Sequence, residues 1–290
     1  MRYSLQARLR GFLLGALVGE HQAFTRRREQ ETCWRYSRTL LRCCELIVKP
    51  GGHNWENLWK FLEPELHGCE LESVIAASLP VSFLFHDNRQ KWRSHLGYFP
   101  TRLQLDPVAR DWLYIFSYTL AAFLREESDP EGLIPTLLDL VEMGSEVREV
   151  LKLISNWQSK NQSLASIIGE LNQVGSTVHT KLAIALYCLL NSCEDFGLTL
   201  IRLHENCDCG GVATIIGALS GAYNSEIAIP IEWDLEIANI SGDGLGYRTQ
   251  VLRLADELLA FWSGVYIDAS LPSELGTITT VASPRVMRLR

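Results

Sequence analysis

Apolar residues recur at helical spacing along most of the chain. Val108 to Arg125 is a long apolar-rich segment opened by Asp106-Pro107. A side-chain acceptor followed by proline is a helix-entry signal. Glu146 to Trp157 places Val147, Val150, Leu151 and Ile154 on one stripe. Thr180 to Leu190 repeats the pattern with Ala183, Leu186, Tyr187 and Leu190, and Arg248 to Trp262 with Val251, Leu254, Leu258, Leu259 and Trp262. Three such stripes at i, i+3, i+4 spacing predict amphipathic helices. Val212 to Tyr223 reads as an apolar helix whose Ala213, Gly217, Ala218 and Gly221 suit close packing against neighbours. No stretch shows sustained period-two alternation bounded by hairpin turns, so the pattern predicts an all-α fold. Breaks at Lys49-Pro50-Gly51-Gly52, Ser128 to Gly132 and Ser241 to Gly244 are short enough to be loops inside one domain. Residues 1–267 therefore read as a single compact multi-helix domain. Residues 268–290 are poor in large apolar side chains and end Arg285-Val-Met-Arg-Leu-Arg290. They read as a flexible tail, with docking on a partner as the alternative.

Composition narrows the class. With 290 residues, 47% apolar and 21% charged, the chain can bury a substantial core as an ordinary soluble protein. A net charge of −7 gives no reason to expect nucleic acid. Arg26, Arg27 and Arg28 form the densest cationic run and read as a solvated loop. Gly11 to Val18 and Trp112 to Leu124 are too short to cross a bilayer, so no membrane span is expected. The eight cysteines include no Cys-x-x-Cys pair, and the start resembles no secretory leader. The expectation is a cytoplasmic chain with reduced thiols. Cys43, Cys44, Cys69, Cys188 and Cys193 sit in apolar helical stretches and read as core. Trp34, Trp55, Trp59 and Trp92 lie in polar surroundings. They are either half-buried packing or an exposed protein-binding face. No Gly-x-Ser-x-Gly elbow or phosphate-binding Gly-x-x-x-x-Gly-Lys-[Ser/Thr] is present.

The densest chemistry lies in His204-Glu-Asn-Cys-Asp-Cys-Gly-Gly211, just before the small-residue helix. Asp208 at a helix start suits the dipole and the free N–H groups there. Cys207 or Cys209 in that position would be reactive if the thiol pKa were lowered. A hard-cation site needs more carboxylates, and a soft-metal site needs partners such as His204 and Cys33. Gly210-Gly211 can also offer backbone N–H groups to an anion. On these residues alone, cap, metal site and reactive thiol pair all stay open.

Four stretches in order resemble the ADP-ribosylglycohydrolase family. They are Arg8 to Glu20, Leu79 to Asp87, Gly175 to Leu186 followed by Asp195-Phe196, and His204 to Tyr223 continued through Trp233. The resemblance implies a compact all-α domain with two magnesium or manganese ions in a central cleft. It also implies hydrolysis of the bond between ADP-ribose and a protein side chain. In the family an early Thr-Asp-Asp-Thr motif and a late Asp-x-Asp-Thr motif supply the ligands. In this chain the late motif falls on Asp208-Cys209-Gly210-Gly211, and the early one near Cys33-Trp34-Arg35-Tyr36. Glu20 stands where the family has aspartate. Ser73 and Ala77 stand for its ligand-loop glycine and arginine, and Ser176 and His179 for its tyrosine and aspartate.

A dication in a partly dry cleft needs several anionic oxygens to offset its lost hydration. Asp208, helped by Glu20, is too little for two ions, so no metal cofactor is expected. Arg35 is expected to replace the metal charge and pair with Asp208 as an internal salt bridge; a surface arginine is the alternative. Cys33, Cys207 and Cys209 are expected to converge on the vacated site, as space-filling residues or as a thiol pocket. The expected function is a catalytically degenerate, metal-free module that binds a protein partner or an ADP-ribose-like ligand. The alternatives are a hydrolase using Asp208 and Glu20 as acid or base with one metal or none, and a thiol-based redox sensor.

Overall fold

The computed structural model describes residues 3–27, 34–49, 55–125, 130–160, 162–171, 177–207, 209–239 and 246–265. Its helices are α1 (Leu5–Arg27), α2 (Arg35–Val48), α3 (Trp55–Leu66), α4 (Leu71–Leu84), α5 (Arg89–Leu96), α6 (Tyr98–Arg102) and α7 (Pro107–Arg125). They continue with α8 (Leu133–Leu140), α9 (Glu146–Ser159), α10 (Leu164–Leu171), α11 (Thr177–Ser192) and α12 (Phe196–Asn206). The last three are α13 (Gly210–Asn224), α14 (Ile231–Asn239) and α15 (Gly246–Ser263). Short 3₁₀ turns occupy Pro130–Gly132 and Glu226–Ala228, and no strand occurs among the described residues. The chain is all-α, as the periodicity predicts.

Local chemistry sets several helix starts. Asp106 Oδ1 accepts from the N–H groups of Val108 and Ala109, both at 2.9 Å, which fixes the entry to α7. Asn88, Ser145 and Asp195 cap α5, α9 and α12 in the same way.

The centre of the fold is a seam between α1 and α13. A Cβ built on Gly11, Gly15 or Gly19 would lie 2.3, 2.2 or 2.1 Å from the carbonyl oxygens of Gly221, Gly217 and Ala213. In return, a Cβ on Gly217 or Gly221 would lie 2.1 or 2.0 Å from the carbonyls of Gly15 and Gly11. Only hydrogen fits there, so each Cα–H points at a carbonyl of the facing helix, a weak but repeated hydrogen bond. Helices α2, α4, α7 and α15 pack around this pair. Helix α4 is buried from Glu72 to Leu84, which explains why it shows no amphipathic stripe. Arg8, itself 4% exposed, donates to the carbonyls of Ala222 and Phe123 near the ends of α13 and α7. A guanidinium there satisfies last-turn carbonyls and complements the helix dipoles.

Two expectations change, for the arginine run and for Cys69, and the tryptophans take the packing reading. Arg26 and Arg27 belong to the last turn of α1 rather than to a loop; Arg28 lies outside the described residues. Trp59 and Trp92 are fully buried, and Trp34 and Trp55 pack partly buried against the core, so these tryptophans are packing residues. Cys69 is half-buried in the turn before α4, while Cys43, Cys44, Cys188 and Cys193 are core. The stretch Ile231-Glu-Trp-Asp-Leu-Glu-Ile237, whose apolar residues alternate without hairpin turns to bound them, forms α14. Glu232 and Asp234 in its first turn favour the helix, and Asp234 is held by Arg248 Nε at 2.8 Å. A period-two pattern wound at 3.6 residues per turn puts apolar side chains on two faces. Ile237 is buried, while Ile231 and Leu235 stay exposed. The loop segments 50–52, 128–129 and 241–244 and the tail 268–290 lie outside the described residues.

Candidate functional site

The C-terminal half of α1 meets the N-termini of α2, α4 and α13, and the chemistry gathers there. Glu20 on α1 is fully buried. Its Oε1 accepts from the Tyr36 N–H at 3.1 Å and its Oε2 from the Ser37 N–H at 2.7 Å. Trp34, in the N-cap position of α2, supplies no side-chain cap, so a carboxylate distant in sequence performs that task. Burial pushes the Glu20 pKa up, and the backbone hydrogen bonds oppose this without cancelling it.

Tyr36 covers the start of α13. A Cβ on Gly211 would lie 2.7 Å from Tyr36 Cε1 and 2.6 Å from Glu72 Cβ. One on Gly210 would lie 3.2 Å from the Phe24 ring. The two glycines are therefore needed for the approach of Tyr36, Glu72 and Phe24, and the N-terminus of α13 is roofed by side chains. The Tyr36 hydroxyl donates to Glu70 Oε2, and burial together with Glu70 pushes its pKa up. Glu72, 5% exposed, accepts from the Cys209 thiol at 3.6 Å. Burial raises Cys209, and it raises Cys207 to about 12.

The structure brings Glu20, Cys209, Gly210 and Gly211 into one neighbourhood, with Cys207 buried at the end of α12 just before it. Arg35 is not internal. Its side chain is 48% exposed and its Nη1 sits 3.4 Å from Glu70 Oε1. The α2 backbone turns it outward while Tyr36, next in sequence, takes the inward position; burying the ring is cheaper than burying a guanidinium. Asp208, Cys33 and Ser176 lie outside the described residues, as does the side chain of His179 in the first turn of α11. Sequence reasoning missed Tyr36, Glu72 and Phe24. Tyr36 stood inside the early tetrad and Glu72 beside Ser73, so position pointed to both, but neither matches a ligand type in the motifs.

The fit to a dication can be tested on the donors. Magnesium and manganese need several oxygens free to coordinate. Both Glu20 oxygens face backbone N–H groups, and Glu72 faces a thiol beneath the Tyr36 ring. Among the described residues no three His, Cys, Asp or Glu side chains converge as a metal site. The described residues do not fit a pair of dications.

Beside this region, α2 and α15 flank an open groove of about 680 Å³. Leu41, Val251 and Leu254 form its floor, and around it stand Trp34, Arg38 and the ion pairs Arg42–Glu45 and Arg253–Glu257. Trp34 stacks on His21 with ring centroids 5.7 Å apart.

Residues 21–266 match the ADP-ribosylglycohydrolase family, and the chain belongs to that family. In a search of curated proteins none matches it.

Proposed function

We propose that this member of the ADP-ribosylglycohydrolase family is catalytically degenerate and acts as a metal-independent binding or regulatory module. The observation that carries the reading is Glu20. This carboxylate, which by the resemblance stands where the family has aspartate, has both oxygens engaged as the cap of α2. Withdrawing it for metal or for proton transfer would leave two helix-start N–H groups unpaired in a buried place. The Tyr36 roof over Gly210-Gly211 points the same way. The ligand class is a protein partner or an ADP-ribose-like molecule. The α2–α15 groove, with its apolar floor and a rim of both arginines and glutamates, is a candidate place for such a ligand. The described cysteines are free, which fits a reducing cytoplasmic setting, and no helix of the described residues is long and apolar enough to cross a membrane.

The test is a titration of ADP-ribose into the protein, together with metal analysis and an assay of ADP-ribosyl-protein hydrolysis in magnesium or manganese. Binding without turnover, unchanged in Asp208→Asn, is expected. A stoichiometric dication and a hydrolysis abolished by Asp208→Asn would instead establish the alternative of an active hydrolase. A thiol sensor has less support, since Cys207 and Cys209 are buried and held protonated.

A further inference from the structure

Among the described residues the exposed large apolar side chains are Phe61, Tyr98, Met143, Leu198, Ile227, Ile231 and Leu235, and the last four lie in neighbouring segments. Ile231 and Leu235, 73% and 53% exposed, share one face of α14 at i, i+4, and Ile227, 77% exposed, lies in the 3₁₀ turn just before it, across the extended Ile229–Pro230 link. Leu198, 46% exposed, lies in the first turn of α12. That turn abuts the start of α14: a Cβ on Gly197 would touch Pro230 at 3.7 Å, and the Phe196 and Trp233 rings are 6.3 Å apart. Glu194, Asp195, Glu226, Glu232, Asp234 and Glu236 belong to these same segments, with Asp195 capping α12 and Glu236 accepting from Gln22, while residues 224–247 contain no lysine or arginine. Of the neighbouring cations, Arg10 and Arg248 are engaged with Glu226 and Asp234. An apolar strip in acidic segments selects an apolar segment studded with positive charge.

This chain carries such a segment. Residues 285–290 read Arg-Val-Met-Arg-Leu-Arg, with three arginines and three large apolar residues. Its attachment point is near. Arg10 bridges Asp256 of α15 at 2.8 Å and Glu226 of the 3₁₀ turn at 3.5 Å, so α15 passes beside the strip. Val265 lies nine residues beyond Asp256, about 14 Å along a helix at ~1.5 Å per residue. A chain of nineteen residues, the length of 266–284, reaches about 60 Å when extended and spans roughly 25 Å as a coil. Extended, a tether of that length reaches from the end of α15 back to the strip, and tethering raises the effective concentration of the segment there over that of a free partner. We propose that the strip formed by Ile227, Ile231, Leu235 and Leu198 is the docking site of the chain's own segment 285–290. The inference goes beyond the reading of the cleft and does not depend on it.

The experiment is limited trypsinolysis of the full chain, scored by mass at the bonds after Arg285 and Arg288, with a synthetic peptide of residues 279–290 as the unprotected reference. In the wild-type protein, cleavage is expected to be at least tenfold slower than in the peptide, and the protection to weaken in high salt. Ile231→Asp, at an exposed position, is expected to abolish the protection while leaving the melting temperature unchanged. Glu232→Arg should weaken protection of the Arg285 bond, and Arg288→Glu added to it should restore that protection. Cleavage of the wild type at the peptide's rate overturns the proposal, as does equal protection in Ile231→Asp. Protection that disappears on dilution, alongside a dimer in solution, would assign the strip to a second copy and overturn the tethered contact.

Discussion

Glu20 and Asp256 are both carboxylates with pKa values displaced from the ordinary range, and their signs are opposite. Burial raises Glu20, so between the ordinary and raised values the native state holds more protons than the unfolded chain. Its contribution to stability is fullest below the ordinary carboxylate pKa and is lost as pH rises through the raised value. At Asp256 burial pushes upward, but hydrogen bonds from Arg10 and Gln6 win and lower the pKa. Its contribution is present above the ordinary carboxylate pKa and is lost as pH falls through the lowered one. Urea melts across pH should therefore show the wild type losing ground to Glu20→Gln as pH rises, and gaining on Asp256→Asn. Glu20→Ala removes the α2 cap and is expected to cost about 2 kcal/mol, read as a drop of about 4–8 °C in Tm. Cys207, held near 12 by burial, should resist iodoacetamide at neutral pH in the native state and react on unfolding. Sequence fixes residue types but not which way a side chain faces. Arg35 and Tyr36 are adjacent in the chain, yet one lies at the surface and the other over Gly211.

At the scale of elements, backbone proximity between α1 and α13 dominates. Ala in place of Gly217 would put a methyl 2.1 Å from the Gly15 carbonyl, and since the obstacle is backbone the helices must part. Overpacking of that kind is expected to cost about 3 kcal/mol, measurable by chemical denaturation. Gly169→Ala is the control. Gly169 lies inside α10 with no atom within 4 Å of an added Cβ, and the exchange should stabilise by about 0.5–1 kcal/mol through helix propensity. Helices α9 and α15 were legible because burial on one face leaves a stripe, and α7 and α11, buried nearly all round, because their apolar runs have helical length. Helix α14 was not, because its alternating residues leave no single stripe, while its neighbours offer only helices to pack on. Helix α4 left no stripe because it is buried all round.

For the molecule as a whole, the arrangement of donors bears on its response to metal. A ligand that binds only the native state raises stability by mass action. Millimolar magnesium or manganese is expected to leave Tm unchanged, and a clear rise in thermal scanning that Asp208→Asn abolishes would count against the degenerate reading. The fold class was legible in the helical periodicity, and the family in the order of four weak stretches. The closing of the site was not, because Glu20 as a helix cap and Tyr36 as a roof depend on segments that meet only in three dimensions.

The α1–α13 seam also has a consequence for biosynthesis. The glycines of α1 leave the ribosome first, while the carbonyls they rest on belong to a stretch some two hundred residues later. Until that stretch emerges the first helix has no matching surface, and a nascent chain stalled before α13 presents a bare apolar rod to chaperones.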